Sequence, residues 1–190
     1  MPIGSKYHST DEQIVNEEAC IKAARKDPAK FEALYKKYHE QIFRFIYQRL
    51  DDKELAFDTA SEVFLKAMLN LYRYEFRGVP FASWLYRIAY SEVNQLFRDN
   101  KAQRTINIES YQVYDIIDEI KEDKLEKYHD KLIEAISQLP EQELQLVEMR
   151  YFEKRPFSEI GEMLDITENN AKVKLYRILD KLKKTITSKQ

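Results

Sequence analysis

The sequence predicts an all-α protein: two small helical domains joined by an acidic linker. Three observations predict it. The 190 residues contain only three glycines and five prolines, too little punctuation for many strands and hairpins. Apolar residues recur at spacings of three and four through most of the chain, the period of a helix with one buried face. Charge marks the linker: residues 105–130 hold eight acidic residues against Lys121, Lys124 and Lys127, and a basic segment lies on each side.

The elements follow in order. Residues 11–27 read as a first helix through Ile14, Ala19, Ile21 and Ala24, stopped near Asp27-Pro28 because the residue before proline avoids helical geometry. Phe31, Leu34, Tyr35, Tyr38, Ile42, Phe45, Ile46 and Leu50 make a long second helix. Asp51-Asp52-Lys53 is a turn, and residues 54–72 form a third helix with Leu55, Ala56, Ala60, Val63, Phe64, Ala67, Met68 and Leu71. Residues 74–81 place Gly78 and Pro80 close together without a helical period, so they are a loop. A fourth helix runs from about Ala82 to Lys101.

Residues 104–127 have weaker periodicity and much charge, so they read as a linker, partly helical at most, between domains spanning 11–103 and 128–187. Leu132, Ile133, Ile136 and Leu139 open the second domain and Pro140 closes that segment. Leu144, Val147 and Tyr151 continue it. Phe157, Ile160, Gly161 and Leu164 then fall on one face of a short helix, which Asp165-Ile166 breaks. Thr167 stands where an N-cap belongs, with Glu168 in the first turn, where the helix dipole favours negative charge. The last helix buries Ala171, Leu175, Ile178, Leu182 and Ile186. The C-terminal domain therefore has four helices, the last two laid out as a helix-turn-helix.

That layout makes DNA the leading partner. On the last helix Asn169, Lys172, Val173 and Tyr176 fall at i, i+3, i+4 and i+7 and share a face. Asn169 or Asn170 can offer paired amide bonds to adenine, Lys172 can reach guanine or phosphate, and Val173 suits a thymine methyl. Lys174 and Arg177 lie to the side and suit phosphates. A helical hairpin with an ordinary solvated face is the competing reading of this segment. The net charge of −2 counts against a free-standing DNA binder, because such proteins are usually basic overall. The local distribution answers it: residues 165–190 hold seven Lys/Arg against Asp165, Glu168 and Asp180.

Composition excludes other classes. No apolar run is long enough to span a bilayer and the N-terminus lacks a signal-type apolar region, so a soluble, cytoplasmic protein without membrane insertion is expected. Cys20 has no partner for an internal disulfide and reads as a small apolar residue in a helix. His8, His39 and His129 are too scattered for metal ligation, and no cofactor is expected.

Several stretches together resemble bacterial sigma factors of the extracytoplasmic-function (ECF) type. Phe31-Glu32-Ala33-Leu34-Tyr35 opens the second helix as in that family, and Asp58-Thr59-Ala60-Ser61-Glu62-Val63-Phe64-Leu65 resembles its Asp-Leu-Val-Gln-Glu-Val-Phe segment. Phe76-Arg77-Gly78 and Phe81-Ala82-Ser83-Trp84-Leu85-Tyr86-Arg87-Ile88-Ala89 follow its most recognisable stretch. Leu139-Pro140, Tyr151-Phe152 and Glu159-Ile160-Gly161-Glu162 through Lys172 fit its C-terminal domain.

The resemblance implies a non-enzymatic transcription initiation factor, expected to be a monomer. It implies that the N-terminal domain docks on core RNA polymerase and melts the −10 element, and that the C-terminal domain reads the −35 element with Thr167, Asn169, Asn170, Lys172, Val173, Lys174, Tyr176 and Arg177. An anti-sigma partner often accompanies the family. Docking would fall to Asp58, Ser61 and Glu62, within one helical turn. The family usually has Gln where this chain has Ser61, which shortens that contact. Opening DNA needs a way to hold an unstacked base, which aromatic platforms and cations provide. Phe76, Arg77, Phe81, Trp84 and Tyr86 supply both types, and Arg87, Asn94, Arg98, Lys101 and Arg104 could track the backbone. The acidic linker has two readings: a solvated tether, or, as the resemblance implies, an occupant of the polymerase's basic RNA path. The rival functions are a stand-alone helix-turn-helix regulator and, on Asp58 and Glu62, a metal-dependent hydrolase. The hydrolase lacks a second carboxylate or histidine pair.

Overall fold

The structure, a computed structural model, describes residues 11–99, 101–102, 110–120 and 125–187. Among these, nine α-helices and no strand occur. The chain divides into two units, residues 1–106 and 107–190.

The first unit holds α1 (Asp11–Lys26), α2 (Glu32–Leu50), α3 (Lys53–Leu69) and α4 (Phe81–Arg98). Local chemistry sets their ends. The Asp27 side chain accepts from the Ala29 N–H at 3.0 Å and opens a 3-10 turn, Pro28–Phe31, ahead of α2. Asp51 closes α2 in the left-handed region, φ 51°, and Asp52 caps α3 by accepting from the Leu55 N–H at 3.0 Å. Helix α3 stops at Leu69, earlier than expected, because residues 71–73 tighten into a second 3-10 turn. Helix α4 starts at Phe81, directly after the fixed φ of Pro80, and ends at Arg98, three residues short of expectation.

Leu34, Ile42 and Ile46 of α2 meet Ala56, Ala60 and Val63 of α3 and Leu85, Ala89 and Val93 of α4, all buried. Each large apolar side chain removed from water contributes about 1.5–3 kcal/mol. A charge enters this core at Arg49. The Arg49 guanidinium lies 3.7 Å from the Phe45 ring centroid and donates to the Phe45 carbonyl and the Tyr90 hydroxyl, both at 3.0 Å. Cys20, expected as a small apolar residue, is instead exposed on α1.

The second unit holds α5 (Ser110–Ile120), α6 (Leu125–Ser137), α7 (Glu141–Val147), α8 (Phe157–Leu164) and α9 (Glu168–Thr187). A π-helical turn, Glu148–Phe152, prolongs α7. Leu132, Ile136, Leu144, Val147 and Met149 form its core. The four helices from α6 to α9 are those expected.

Helix α5 departs from the linker reading. Its Val113, Ile116, Ile117 and Ile120, at i, i+3, i+4 and i+7, are buried against α6, α9 and the π-helical turn. Polar ties reinforce it. Tyr151 donates to Glu119 at 3.1 Å, Lys154 pairs with Asp115, and Lys183 donates to the Ile120 carbonyl at 3.2 Å. Burial, together with the Glu119 carboxylate, pushes the Tyr151 phenol well above its ordinary value. Residues 110–120 are thus a fifth helix of this unit and not a solvated tether, because four aliphatic side chains outweigh an acidic face that water accepts. Helix α6 already begins at Leu125, inside the expected linker; residues 104–109, Arg104 among them, residues 121–124 and the boundary at Gln103 lie outside the described residues, as do the side chains of Ile14 and Glu126.

Candidate nucleic-acid interface

The helix-turn-helix is built tightly. Asp165 ends α8 in the left-handed region, φ 56°, and the Ile166 N–H returns to the Gly161 carbonyl at 2.9 Å. Gly161 is required by close approach: a Cβ there would lie 2.8 Å from the Ile166 carbonyl oxygen and 3.1 Å from the Glu168 nitrogen. Thr167 then accepts from the Asn170 N–H at 3.2 Å, the expected N-cap bond. Ahead of α8, Arg155 is buried and its Nη1 donates to Glu159 at 3.0 Å, with Glu153 3.5 Å from its Nε. That pair ties the loop before α8 to the helix itself.

Helix α9 turns Ala171, Leu175, Ile178, Leu179, Leu182 and Ile186 into the unit. Thr167, Asn169, Asn170, Lys172, Val173, Lys174, Tyr176 and Arg177 are all exposed. Val173 is 40% and Tyr176 47% exposed, an apolar pair standing among amides and cations. Lys172, Lys174 and Arg177 form no ion pair among the described residues, whereas Lys181 pairs with Glu143 and Lys184 with Asp180. The cations nearest the N-terminus of α9 are the ones left for an outside anion.

In the first unit, residues 74–80 run without helix between the second 3-10 turn and α4. Phe76 and Arg77 are exposed, and Gly78 takes φ 73°, a left-handed conformation that side chains resist. Two expected platforms are withdrawn. Phe81 is fully buried against Tyr38 and Tyr74, with ring centroids 6.1 and 5.1 Å away, and Tyr86 is buried edge-on to Phe45. Trp84 is half-buried, 5.2 Å from Tyr74 and 5.5 Å from Phe81. Arg87, Asn94 and Arg98 share one face of α4, away from its buried Ala82, Leu85, Ala89 and Val93. Arg98 and the following Lys101 are exposed, while Arg87 and Asn94 are half-buried.

On α3, Asp58, Ser61 and Glu62 are exposed on one face. Ser61 spends its donor on the Phe57 carbonyl at 2.9 Å, and Glu62 lies 3.4 Å from Lys66. Lys66 is also held by Glu92 at 2.7 Å, and these carboxylates, Glu92 first, raise its pKa. Beside them stand exposed Phe57, Leu65 and Leu69, the last 62% exposed. Sequence reasoning passed over these three. Their signal was present, because Phe57, Leu65 and Leu69, with Ser61 between the first two, fall at multiples of four beside the buried stripe, and a helix with apolar side chains on two faces has two neighbours to meet.

Among the described residues, no helix is long and apolar enough to cross a membrane.

Comparison with known proteins bears on the family and the fold. Residues 34–103 match Sigma-70 region 2 and residues 129–182 match Sigma-70, region 4. The chain is similar to the ECF RNA polymerase sigma factor BldN of Streptomyces coelicolor, 26% identical over 149 residues that make up 77% of this chain and 56% of BldN. It is also similar to the ECF RNA polymerase sigma factor SigM of Bacillus subtilis, 24% identical over 79% of this chain and 91% of SigM. The fold resembles that of CnrH, solved in complex with the cytosolic domain of CnrY, with a TM-score of 0.53 and 14% identity over 90% of this chain and 96% of that one. With both regions present in order on an all-helical fold, the chain belongs to the sigma-70 family, as a sigma factor of the ECF type.

Proposed function

We propose that this sigma factor divides promoter recognition between its two units. Residues 11–103 dock on core RNA polymerase and open the −10 element, and residues 128–187 read the −35 element. The observation that carries the reading is the face of α9, where exposed amides, cations and Val173 stand on a helix capped at its start by Thr167. A helix of this composition fits the major groove, with Asn169, Lys172 and Val173 toward base edges and Lys174 and Arg177 toward phosphates. Docking falls to Asp58, Ser61 and Glu62, with Phe57, Leu65 and Leu69 supplying apolar area beside them. Phe76 and Arg77 hold the melted strand, and Arg87, Asn94, Arg98 and Lys101 line its path. The protein works in the cytoplasm as a monomer. CnrH was solved with the cytosolic domain of CnrY, and for this chain an anti-sigma partner is proposed.

Dependence on polymerase separates this from a stand-alone regulator. The net charge of −2 leaves the free chain little general attraction to DNA. In a gel shift at physiological salt, the free protein should bind promoter duplex weakly, and core polymerase should make binding specific. Tight, sequence-specific binding by the free protein would favour the regulator.

A further inference from the structure

Both ends of the loop that presents Phe76 and Arg77 are held by one helix far away in sequence. On α1, Glu17 is buried, and its Oε2 accepts from the Phe81 N–H at 2.9 Å while its Oε1 receives Lys37 at 2.6 Å. Phe81 opens α4, and Pro80 before it offers no side-chain cap. The first N–H groups of a helix need acceptors, and a carboxylate there also meets the positive end of the helix dipole. Glu17 therefore caps α4 from 64 residues away.

Two turns further along α1, Arg25 donates from Nε to the Leu71 carbonyl at 3.1 Å and from Nη2 to the Tyr74 carbonyl. Ile21 and Ala24, between the two, are buried and seat α1 on the unit. The chain is thus gripped at 71–74 and again at 81. Tyr74 and Phe81, both buried, close the base of the loop against each other. Only residues 75–80 lie between the grips, with Phe76 and Arg77 exposed and Gly78 at positive φ.

We infer that α1 is a brace for DNA opening and that Glu17 and Arg25 are positioning residues, fixing the angle at which Phe76 and Arg77 meet a melted base. The inference rests on the proposed role of this loop. A loop held at both ends spends less ordering entropy when it captures a base. A hydrogen bond to a charged group shifts the balance between held and released loop by roughly tenfold or more.

The single tryptophan gives a readout free of polymerase. Trp84 touches both Tyr74 and Phe81, so its quenching by acrylamide reports whether the base of the loop is closed. In the full-length protein, Glu17→Ala and Arg25→Ala should raise quenching of Trp84 while far-UV circular dichroism is unchanged. With holoenzyme on promoter DNA, each should lower permanganate reactivity of −10 thymines by roughly tenfold. Glu17→Gln keeps an oxygen to accept the Phe81 N–H and should restore both readouts toward wild type. If the buried Glu17→Ala variant does not fold, the exposed Arg25→Ala carries the test. Unchanged quenching, or raised quenching with full thymine reactivity, overturns the brace. Phe76→Ala/Arg77→Ala serves as the control: if that variant opens DNA normally, the failure lies with the loop's role and not with α1.

Discussion

The buried pair of Arg155 and Glu159 makes a strong claim about the helix-turn-helix. Both side chains are almost wholly enclosed, and their contact is 3.0 Å. Replacing Glu159 by Leu keeps much of the volume but leaves a buried guanidinium short of its partner. Losing one partner of a buried pair costs about 3–5 kcal/mol. Glu153, 3.5 Å from the Arg155 Nε, retains part of the compensation, so the lower end, about 3 kcal/mol, is expected. A unit of this size has only about 4–13 kcal/mol of stability. The assay is native-state amide hydrogen exchange read by mass spectrometry, which assigns the loss to α8 and α9 without separating the units. A loss of about 3 kcal/mol lowers protection of the slowest amides there by on the order of 100-fold. Arg155→Met should cost a similar amount, and Arg155→Met with Glu159→Leu should recover most of it, since apolar replacement of a whole buried pair is often neutral or better. Additive losses in the double variant, or a loss below about 1 kcal/mol in Glu159→Leu, would show that the two side chains are not a coupled buried pair.

Two further outcomes follow from the site geometry. Phe76→Ala with Arg77→Ala should impair open-complex formation while leaving polymerase binding intact, because both side chains are exposed in the loop and neither belongs to α3; unreduced permanganate reactivity at −10 thymines would contradict this. Gly161→Ala should lower stability by about 1 kcal/mol, since overpacking against the Ile166 carbonyl costs about 1–3 kcal/mol and improved helix propensity returns about 1 kcal/mol; a urea midpoint at or above wild type, with unchanged slope, would show that the turn yields freely.

Local signals were legible in the sequence and distant ones were not. Thr167, Asp165 and the apolar spacing of α8 and α9 act within a few residues, and the helices begin and end where those residues put them. Helix α5 was masked by its charge. Asp115, Asp118 and Glu119 drew attention from Val113, Ile116, Ile117 and Ile120, whose spacing was already that of a buried face. Phe81 looked like a loop aromatic, and only packing against Tyr38 and Tyr74 makes it core. The caps from Glu17 to Phe81 and from Arg25 to Leu71 join residues 64 and 46 apart, beyond any local pattern. Residue types at the exposed positions of α9 were readable, because exposure there follows from helical period alone.

The exposed face of α9 is proposed to read the −35 element. The direct test is transcription by holoenzyme from a library randomised at −35, sequenced for wild type, Asn169→Ala, Lys172→Ala and Arg177→Ala. Asn169→Ala and Lys172→Ala should each cost about 1–3 kcal/mol on the preferred sequence and relax preference at one or two base pairs. Arg177→Ala should weaken all sequences alike and reduce the salt dependence. If the preferred sequence is unchanged by both Asn169→Ala and Lys172→Ala, this face is not the reader.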